Sequence, residues 1–246
     1  MCGRYTLVRL ADVLEKFPWI EHGPPDLVPR YNIAPTQPLL AIANDHPEQF
    51  DHLVWGLVPF WAKDPAIGNK MINARAESLA EKPAFRNLLK RRRCLVIADG
   101  FYEWMPDPAG GKKGGKIPMY VQMKDRKPFA FAGLWDTWKG SGGAPAASED
   151  GRTTVDTGQT LRTCTIITTA ANDLMKPIHD RMPAIIPPED YRCWLDAKDE
   201  DAVELEKMLC PYPADEMTAH PVSTIVNSPK NEVPACIEAV AKETLF

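Results

Sequence analysis

Short apolar runs recur along this chain, and they restrict its fold more than any other feature of the sequence. Each run is rich in Val, Ile, Leu, Phe or Ala, which is typical of a β-strand. The predicted strands are 39–43, 52–57, 94–98, 118–123, 129–134, 164–168 and 222–226. The predicted helices are 11–17, 79–92, 188–195 and 200–209, with Pro83 in a first turn and Asp199 as an N-cap. Because strands and helices do not alternate regularly, we expect an α+β fold with a mainly antiparallel, barrel-like β-sheet flanked by helices.

The chain of 246 residues shows neither an internal repeat nor a convincing boundary, so we expect a single domain, 1–246. Two segments interrupt the pattern of strands and helices. Residues 106–116 are rich in Pro, Gly and Lys, and residues 139–160 are rich in Gly, Ala, Ser, Thr and Asp. Such compositions favour loops, so we predict two mobile loops, the longer of them either an insertion or partly disordered.

The six cysteines lie at positions 2, 94, 164, 193, 210 and 236. No two of them form a CxxC half-site, so we expect reduced thiols and neither a metal nor another cofactor. Cys94 and Cys164 stand within apolar strand-like runs, where a thiol behaves as a small buried apolar group.

No apolar stretch approaches the roughly 18 residues of a membrane helix, and the N-terminus lacks a signal peptide. We therefore expect a soluble cytoplasmic protein. The net charge of −4 argues against a protein that coats duplex DNA. A local basic groove remains an alternative, formed by residues 90–93 with Arg75, Arg86 and Arg181, although such a charge run is by default a solvated face.

The start of the chain carries a potential nucleophile, Cys2. Initiator methionine is usually removed before a small residue, which makes this cysteine the first residue of the mature protein. Its α-amine, with a pKa of about 7.7–8.0, and its thiol, of about 8.5, then form a 1,2-aminothiol. Such a pair attacks an aldehyde twice, first giving a Schiff base and then a thiazolidine ring. A cysteine in second position is often incidental, so this feature alone assigns no function.

Six motifs follow Cys2 or include it, in a fixed order along the chain. They are MCGRY at 1–5, YNIAP at 31–35, WGLVPFW at 55–61, NARAE at 73–77, DGFYEW at 99–104 and HDRMP at 179–183. Together they closely resemble the SRAP family, named for SOS response-associated peptidases, which includes bacterial and vertebrate abasic-site processing proteins. The resemblance extends from Met1 to about Asn227. The chain lacks the C-terminal extension of the vertebrate branch, so we expect a bacterial-type protein with a single SRAP domain.

The resemblance implies that Cys2 bonds covalently to the aldehyde of an abasic site in single-stranded DNA. It implies that Asn73 positions the amine and the opened sugar and that Glu103 transfers protons. It also implies that His179 acts as an acid during sugar opening or during reversal of the crosslink. A desolvated carboxyl group between two aromatic residues is expected to have a raised pKa. Whether the Schiff base closes to a thiazolidine or eliminates, as in an abasic-site lyase, is left open.

The resemblance also implies a set of DNA contacts. Arg4, Arg75 and Arg181 resemble phosphate ligands, and Arg86 is added from the basic groove. Trp61 and Pro35 resemble a wedge on which a base beside the lesion stacks, favouring single strands over duplex. The implied partner is single-stranded DNA with abasic sites, replication-fork components are further candidates, and we expect a nucleoid-associated monomer.

Two other functions compete with this interpretation. In an N-terminal-nucleophile cysteine peptidase or amidohydrolase, Cys2 would attack an acyl carbon with its own amine as the base. In a non-catalytic single-strand binder, Trp61 and the arginines would bind DNA without covalent chemistry, and the aromatic residues would otherwise be core residues. Exposure to abasic DNA separates covalent chemistry from simple binding. A Cys2→Ala protein that binds without a covalent product supports the covalent reaction, whereas a wild-type protein that stays unmodified supports the binder.

Overall fold

The computed structural model describes residues 2–23, 27–108, 115–140, 160–196 and 202–240. The strands are β1 Tyr5–Leu7, β2 Arg30–Ile33, β3 Pro38–Ala43, β4 Asp51–Trp55, β5 Asn73–Arg75, β6 Arg93–Ala98, β7 Gly100–Pro106, β8 Lys116–Met123, β9 Phe129–Lys139, β10 Thr160–Ala170, β11 Arg181–Pro183, β12 Ile185–Ile186 and β13 Met217–Pro221. The α-helices are α1 Leu10–Lys16, α2 Arg86–Arg91, α3 Tyr191–Asp196 and α4 Ala202–Lys207.

The larger sheet closes into a barrel. Its strands follow the order β10, β4, β3, β6 and β9, and β9 pairs again with β10 to complete the ring. Two parallel pairings, of β10 with β4 and with β5, interrupt an otherwise antiparallel arrangement of the described strands. Every residue of β6 is buried, as expected for a continuous apolar run inside a barrel wall. The predicted α+β fold with a mainly antiparallel, barrel-like sheet is therefore confirmed.

The smaller sheet, in the order β13, β8, β7, β1 and β2, packs against this barrel. The ring of Tyr5 meets the rings of Trp55 and Phe131 edge to face, with centroid distances of 5.5 and 5.9 Å. These contacts place β1, and with it the start of the chain, at the junction of the two sheets. The opposite face of the smaller sheet carries Tyr102 and Tyr120, which pack against residues of the C-terminal segment.

Most predicted strands are confirmed, but the one at 222–226 is wrong. Val222 makes only an isolated bridge, and Thr224–Asn227 form a short 3-10 helix in which the hydroxyl of Ser223 accepts the amide N–H of Ile225. A serine N-cap and buried valines at 222 and 226 fit a helical turn as well as a strand. Sequence spacing alone could not separate the two.

The helix predicted at 79–92 is confirmed only for its second half, α2. Pro83 supplies no amide N–H and disfavours helical geometry at Lys82, so the chain forms turns until Arg86. Asp199, the expected N-cap, lies outside the described residues. The predicted loops begin and end in paired strands, since Pro106 pairs with Lys116 and Lys139 with Thr160. Their predicted mobility concerns mainly 109–114 and 141–159, which lie outside the described residues.

A tight turn ends β4 before the end of its predicted strand. Gly56 has φ of 124°, a conformation that favours glycine, and an added Cβ would lie 2.8 Å from the carbonyl oxygen of Gly68. The turn sends residues 57–71 out of the barrel and returns them to β5. In the part of the chain that the structure describes, no helix combines the length and the apolar character needed to cross a membrane.

Candidate active site

Cys2 lies three residues before the start of β1 and is completely buried. Its carbonyl oxygen accepts a hydrogen bond of 2.7 Å from Nδ2 of Asn73. The carbonyl oxygen of Arg4 accepts the amide N–H of Tyr102 at 3.0 Å and faces the Cys2 thiol at 4.0 Å. The first residues are thereby attached to β5 on one side and to β7 on the other.

Asn73 is held in place by its strand. It lies opposite Ile166 in the parallel pairing of β5 with β10, and the indole N–H of Trp55 donates to the carbonyl oxygen of Ile72 at 2.9 Å. Its side-chain Oδ1 is buried and has no hydrogen-bond partner among the described residues. A buried acceptor without a donor costs about 1–3 kcal/mol, so this oxygen is a candidate site for a donor supplied by substrate or by a new N-terminus.

Glu103 stands in the middle of β7, and only 2% of its surface is exposed. Burial raises the pKa of its carboxyl group, because the charged form loses its hydration, while the nearby imidazole of His179 opposes this effect. The group is thus a buried carboxyl that binds a proton more readily than an exposed glutamate.

His179 precedes β11 and is partly buried. Its Nδ1 lies 3.0 Å from the amide nitrogen of Arg181 and 2.8 Å from Oδ1 of Asp180. One protonation state cannot satisfy both neighbours, since the amide N–H needs a lone pair and the carboxylate needs a proton. In the neutral ring Nδ1 accepts from Arg181 and Nε2 carries the proton, whereas in the charged ring Nδ1 can donate to Asp180. Both forms of the imidazole therefore have a partner.

These side chains form one electrostatic cluster. Burial and the negative charge of Glu103 both raise the pKa of the Cys2 thiol. The cluster joins residues from the chain start, β5, β7 and the segment before β11, so the structure brings Cys2, Asn73, Glu103 and His179 together. A thiol with a raised pKa needs a neighbouring base to become a nucleophile.

Two of the predicted phosphate ligands already have protein partners. Arg4 donates from Nη1 to Oδ1 of Asn32 at 2.7 Å and to the carbonyl oxygen of Val226 at 2.8 Å. Arg181 forms a two-pronged ion pair with Glu77, at 2.6 and 3.0 Å, which lowers the pKa of that carboxyl group. A phosphate at either arginine must share or replace these partners.

Arg75 and Arg86 are exposed. Arg75 ends β5, which begins with Asn73, so its side chain belongs to the same short strand as the cluster. Arg86 begins α2, which packs on β6 and β9 of the barrel wall. Of these two predicted ligands, the structure joins only Arg75 to the cluster through a shared element.

Trp61 is 55% exposed on a loop that is anchored at several points. Its neighbour Phe60, which sequence reasoning did not select, is also exposed. The anchors are bonds from the amide of Val58 to Thr163, from the amide of Phe60 to Asp136 and from the indole of Trp138 to the carbonyl oxygen of Ala62. Pro35 is partly buried, and the next amide, of Thr36, donates to the carbonyl oxygen of Trp55 at 2.7 Å. The turn that contains Pro35 therefore adjoins the start of the loop that presents Trp61.

The residues of the basic run at 90–93 do not share one environment, because Lys90 and Arg91 are exposed and Arg93 is not. Arg93 is buried and donates to the carbonyl oxygens of Leu89, Lys90 and Trp194. Arg92 pairs with the buried carboxylate of Asp136 at 2.6 Å. The sequence-based description of this run is wrong for Arg93, which is buried, whereas 38% of the Arg92 side chain remains exposed.

Sequence reasoning assigned no role to two residues within the motifs. Asn32 of the YNIAP motif is buried and accepts from Arg4, and Glu77 of the NARAE motif binds Arg181. A carboxylate within an arginine-bearing motif was the available signal for Glu77. For Asn32 the available signal was its place within the YNIAP motif.

The fold and the site define a class of α+β barrel protein that buries a cysteine at its chain start beside a carboxyl group, an amide and an imidazole. Residues 1–229 match the family model described as SOS response associated peptidase (SRAP), and the chain belongs to this family. It is 46% identical over 243 residues to abasic site processing protein YoqW of Bacillus subtilis (strain 168), covering 97% of this chain and 100% of that protein. It is 44% identical over 242 residues to YoaM of the same strain, covering 97% of this chain and 98% of that protein.

A solved structure agrees with the fold. The crystal structure of a protein from Bacteroides thetaiotaomicron superposes with a TM-score of 0.79 at 26% identity, covering 98% of this chain and 100% of that one. These comparisons confirm the family that the six motifs predict.

Proposed function

We propose that this protein processes abasic sites in single-stranded DNA by bonding to them through Cys2 after removal of Met1. Membership of the family and the names of the abasic site processing proteins YoqW and YoaM support abasic sites as the substrate. The observation that carries the chemistry is the burial of Cys2 against Asn73, within electrostatic reach of Glu103.

The reaction begins on the ring-opened sugar, whose C1′ is an aldehyde. The α-amine of Cys2 attacks C1′ to give a carbinolamine, which loses one water to become a Schiff base. The sulfur then adds to the same carbon, and the nitrogen takes the proton that the thiol gives up. The net change is a thiazolidine ring and one water, without oxidation or reduction.

Glu103 supplies the proton transfers in this sequence. The thiol has a raised pKa, so little thiolate is present without a base. The raised pKa of Glu103 makes its carboxylate a better proton acceptor than an exposed one, and its acid form can protonate the leaving water.

Asn73 and His179 assist the reaction at different atoms, Asn73 at the α-amine of Cys2 and His179 at the sugar. Asn73 donates to the carbonyl oxygen of Cys2 and keeps its own Oδ1 for the new α-amine or a sugar hydroxyl. The Nδ1 atom of His179 lies within hydrogen-bond distance of the Arg181 amide and of Asp180, so the imidazole has a partner with or without its extra proton, which suits protonation of the sugar oxygen during opening and of the ring during reversal of the crosslink.

The DNA strand extends from this cluster along the arginines and the anchored aromatic loop. Arg75 offers an exposed guanidinium, and Arg181 and Arg4 offer partly engaged ones. Trp61, with Pro35 beside its loop, provides the stacking surface for a base next to the lesion. Arg86 contributes long-range attraction from α2.

Two further activities share these residues. The Schiff base can also eliminate the 3′ phosphate, which is lyase chemistry, if thiol closure is slower than elimination. The family description includes the word peptidase, and self-removal of Met1 is the peptide cleavage that the position of Cys2 favours. The masses of purified wild-type and Glu103→Gln protein show whether the protein removes its own Met1. If the cleavage depends on Glu103, the variant keeps Met1 and the wild type does not.

The test is incubation of the protein, with its native N-terminus, with an abasic single-stranded oligodeoxynucleotide. We expect a covalent adduct whose mass is the sum of both reactants less one water. Cys2→Ala should bind the strand without forming the heat-stable adduct. An unmodified wild-type protein would leave a non-covalent DNA binder, and cleavage of model peptides would instead support a dedicated peptidase.

A further inference from the structure

The outer face of the smaller sheet is covered by residues 222–240, which we term the C-terminal clasp. Its Val222, Val226 and Cys236 are buried with Tyr102 and Tyr120 in a separate apolar cluster. The family model ends at residue 229, so the second half of the clasp lies beyond the matched region. The clasp thus packs on Tyr102 of β7, the strand that also carries Glu103.

Glu232 fixes the clasp to β2. Its Oε2 accepts the amide N–H groups of Tyr31 and Asn32 at 2.8 and 3.2 Å. Its Oε1 accepts from Nε and Nη2 of Arg30 at 3.1 and 3.0 Å. One carboxylate thus binds two backbone donors and a guanidinium, a geometry that holds the local backbone more firmly than a surface ion pair does.

Asn32 continues this connection towards the chain start. Its Nδ2 donates to the carbonyl oxygens of Val226, Ser228 and Asn231, at 3.2, 2.9 and 2.9 Å. Its Oδ1 accepts from Nη1 of Arg4 at 2.7 Å. This fully buried amide therefore joins the clasp to the arginine whose carbonyl oxygen faces the Cys2 thiol.

A second connection reaches the strand that carries the carboxyl group. Oδ1 of Asn227 accepts the indole N–H of Trp104 at 2.7 Å, and Trp104 follows Glu103 in β7. The guanidinium of Arg4 lies over the same indole, 5.9 Å from the ring centroid. The clasp therefore contacts the residue next to Glu103 as well as Arg4.

We propose that the C-terminal clasp is a positioning element for the reaction at Cys2, with Asn227 and Glu232 as its positioning residues and Asn32 of β2 as the residue that links it to Arg4. This inference rests on the proposed function. Chain ends fray unless they are attached, and the mature nucleophile is a chain end. The clasp fixes Arg4, so that the amine and thiol of Cys2 keep their distance from Glu103. A displacement of 1 Å can slow a positioned reaction by about 10²-fold, so loosening the clasp is expected to lower the rate of adduct formation.

The experiment compares Glu232→Ala, Glu232→Gln and Asn227→Ala with Glu238→Ala, which removes an exposed carboxylate from the same segment. The fraction of folded protein is measured first by circular dichroism, and all rates are taken at temperatures where it is unchanged. The dissociation constant for abasic single-stranded DNA is measured with Cys2→Ala in each background. The rate of adduct formation is then measured at saturating DNA in a single turnover.

We expect Glu232→Ala and Asn227→Ala to slow adduct formation at saturating DNA by about tenfold to a hundredfold. Glu232→Gln keeps an acceptor for the two amide N–H groups and should recover part of the rate. Glu238→Ala should equal wild type. Wild-type rates in both alanine variants, an equal loss in Glu238→Ala, or a loss that follows the folded fraction would overturn the inference. A wild-type protein that forms no adduct would instead overturn the proposed function.

Discussion

Replacement of Glu103 by glutamine separates the charge of this buried side chain from its size. The carboxyl group is 2% exposed, and an amide occupies nearly the same volume. We expect Glu103→Gln to slow adduct formation by about 10²–10⁴-fold, the range for loss of a general acid or base. At about 1.36 kcal/mol for each factor of ten, the activation free energy rises by roughly 2.7–5.4 kcal/mol. DNA affinity should stay constant, because the predicted strand contacts are other residues.

The pH dependence of the rate gives a second readout. Burial raises the pKa of Glu103 above its ordinary value of 4.5. A base must be deprotonated, so the wild-type rate should rise with pH through this raised pKa. Glu103→Gln should lose that rise, since an amide does not titrate in this range.

The same raised pKa predicts that Glu103→Gln stabilises the fold at neutral pH although it slows the reaction. A carboxyl group with a higher pKa in the folded state binds protons more readily when folded. Its favourable contribution is therefore complete below pH 4.5 and is lost as pH rises through the raised value. At neutral pH the buried carboxylate destabilises the fold, and Glu103→Gln should raise Tm. Each unit of pKa difference corresponds to ~1.4 kcal/mol, and each kcal/mol to about 2–4 °C in a chain of this size.

The assays are single-turnover adduct formation on denaturing gels from pH 5 to 8 and thermal unfolding at both ends of that range. Glu238→Gln, an exposed carboxylate on the C-terminal clasp, is the matched control for the loss of one charge. Adduct formation at the wild-type rate would refute the role of Glu103 in proton transfer. A lower Tm for Glu103→Gln than for wild type at pH 8 would refute the reasoning from its burial.

Four further predictions follow from the chain start, the imidazole and the turn after β4. An uncleaved extension before Cys2 should abolish the adduct, because an amide nitrogen forms no Schiff base, and an extended protein that still crosslinks would contradict the mechanism. Cys2→Ser should give only a weak, borohydride-trappable adduct, so a heat-stable yield equal to wild type would exclude thiazolidine closure. His179→Ala should slow the transfer of a preformed adduct to excess competing abasic DNA, and an exchange rate equal to wild type would remove this residue from reversal. Gly56→Ala should lower the free energy of unfolding by about 1–3 kcal/mol in urea titrations, whereas Gly23→Ala, whose Cβ would meet Leu14 at an ordinary 3.6 Å, should not.

The sequence by itself determined the main strands of the barrel and the family. Strands β3, β6, β9 and β10 follow from continuous apolar runs, because strands buried on both faces need no polar alternation. The position of Cys2 after the initiator methionine indicates a potential 1,2-aminothiol, and the six motifs together give this residue its expected role. The six motifs fixed the membership of the family that the comparisons confirm.

The short strands that carry the site were not visible in the sequence. β5 and β7 contain Asn73 and Glu103, which without the motifs resemble a turn amide and a surface carboxylate. Their burial depends on pairing with β10 and with β1, partners far away along the chain. Local periodicity reports which face of an element is apolar, but it does not report which distant strand covers that face.

The same limit explains the arginines and the clasp. Only the closed barrel shows that Arg93 is buried among carbonyl oxygens, and only the packed C-terminal segment shows that Arg4 binds Asn32 and Val226. A guanidinium on an exposed surface and one inside a hydrogen-bonded network have the same letter in a sequence. Residue types and motifs therefore determined the chemistry that is available to this protein. Tertiary structure decided which groups are desolvated and paired, because desolvation and pairing depend on neighbours that the chain brings together only when its sheets close.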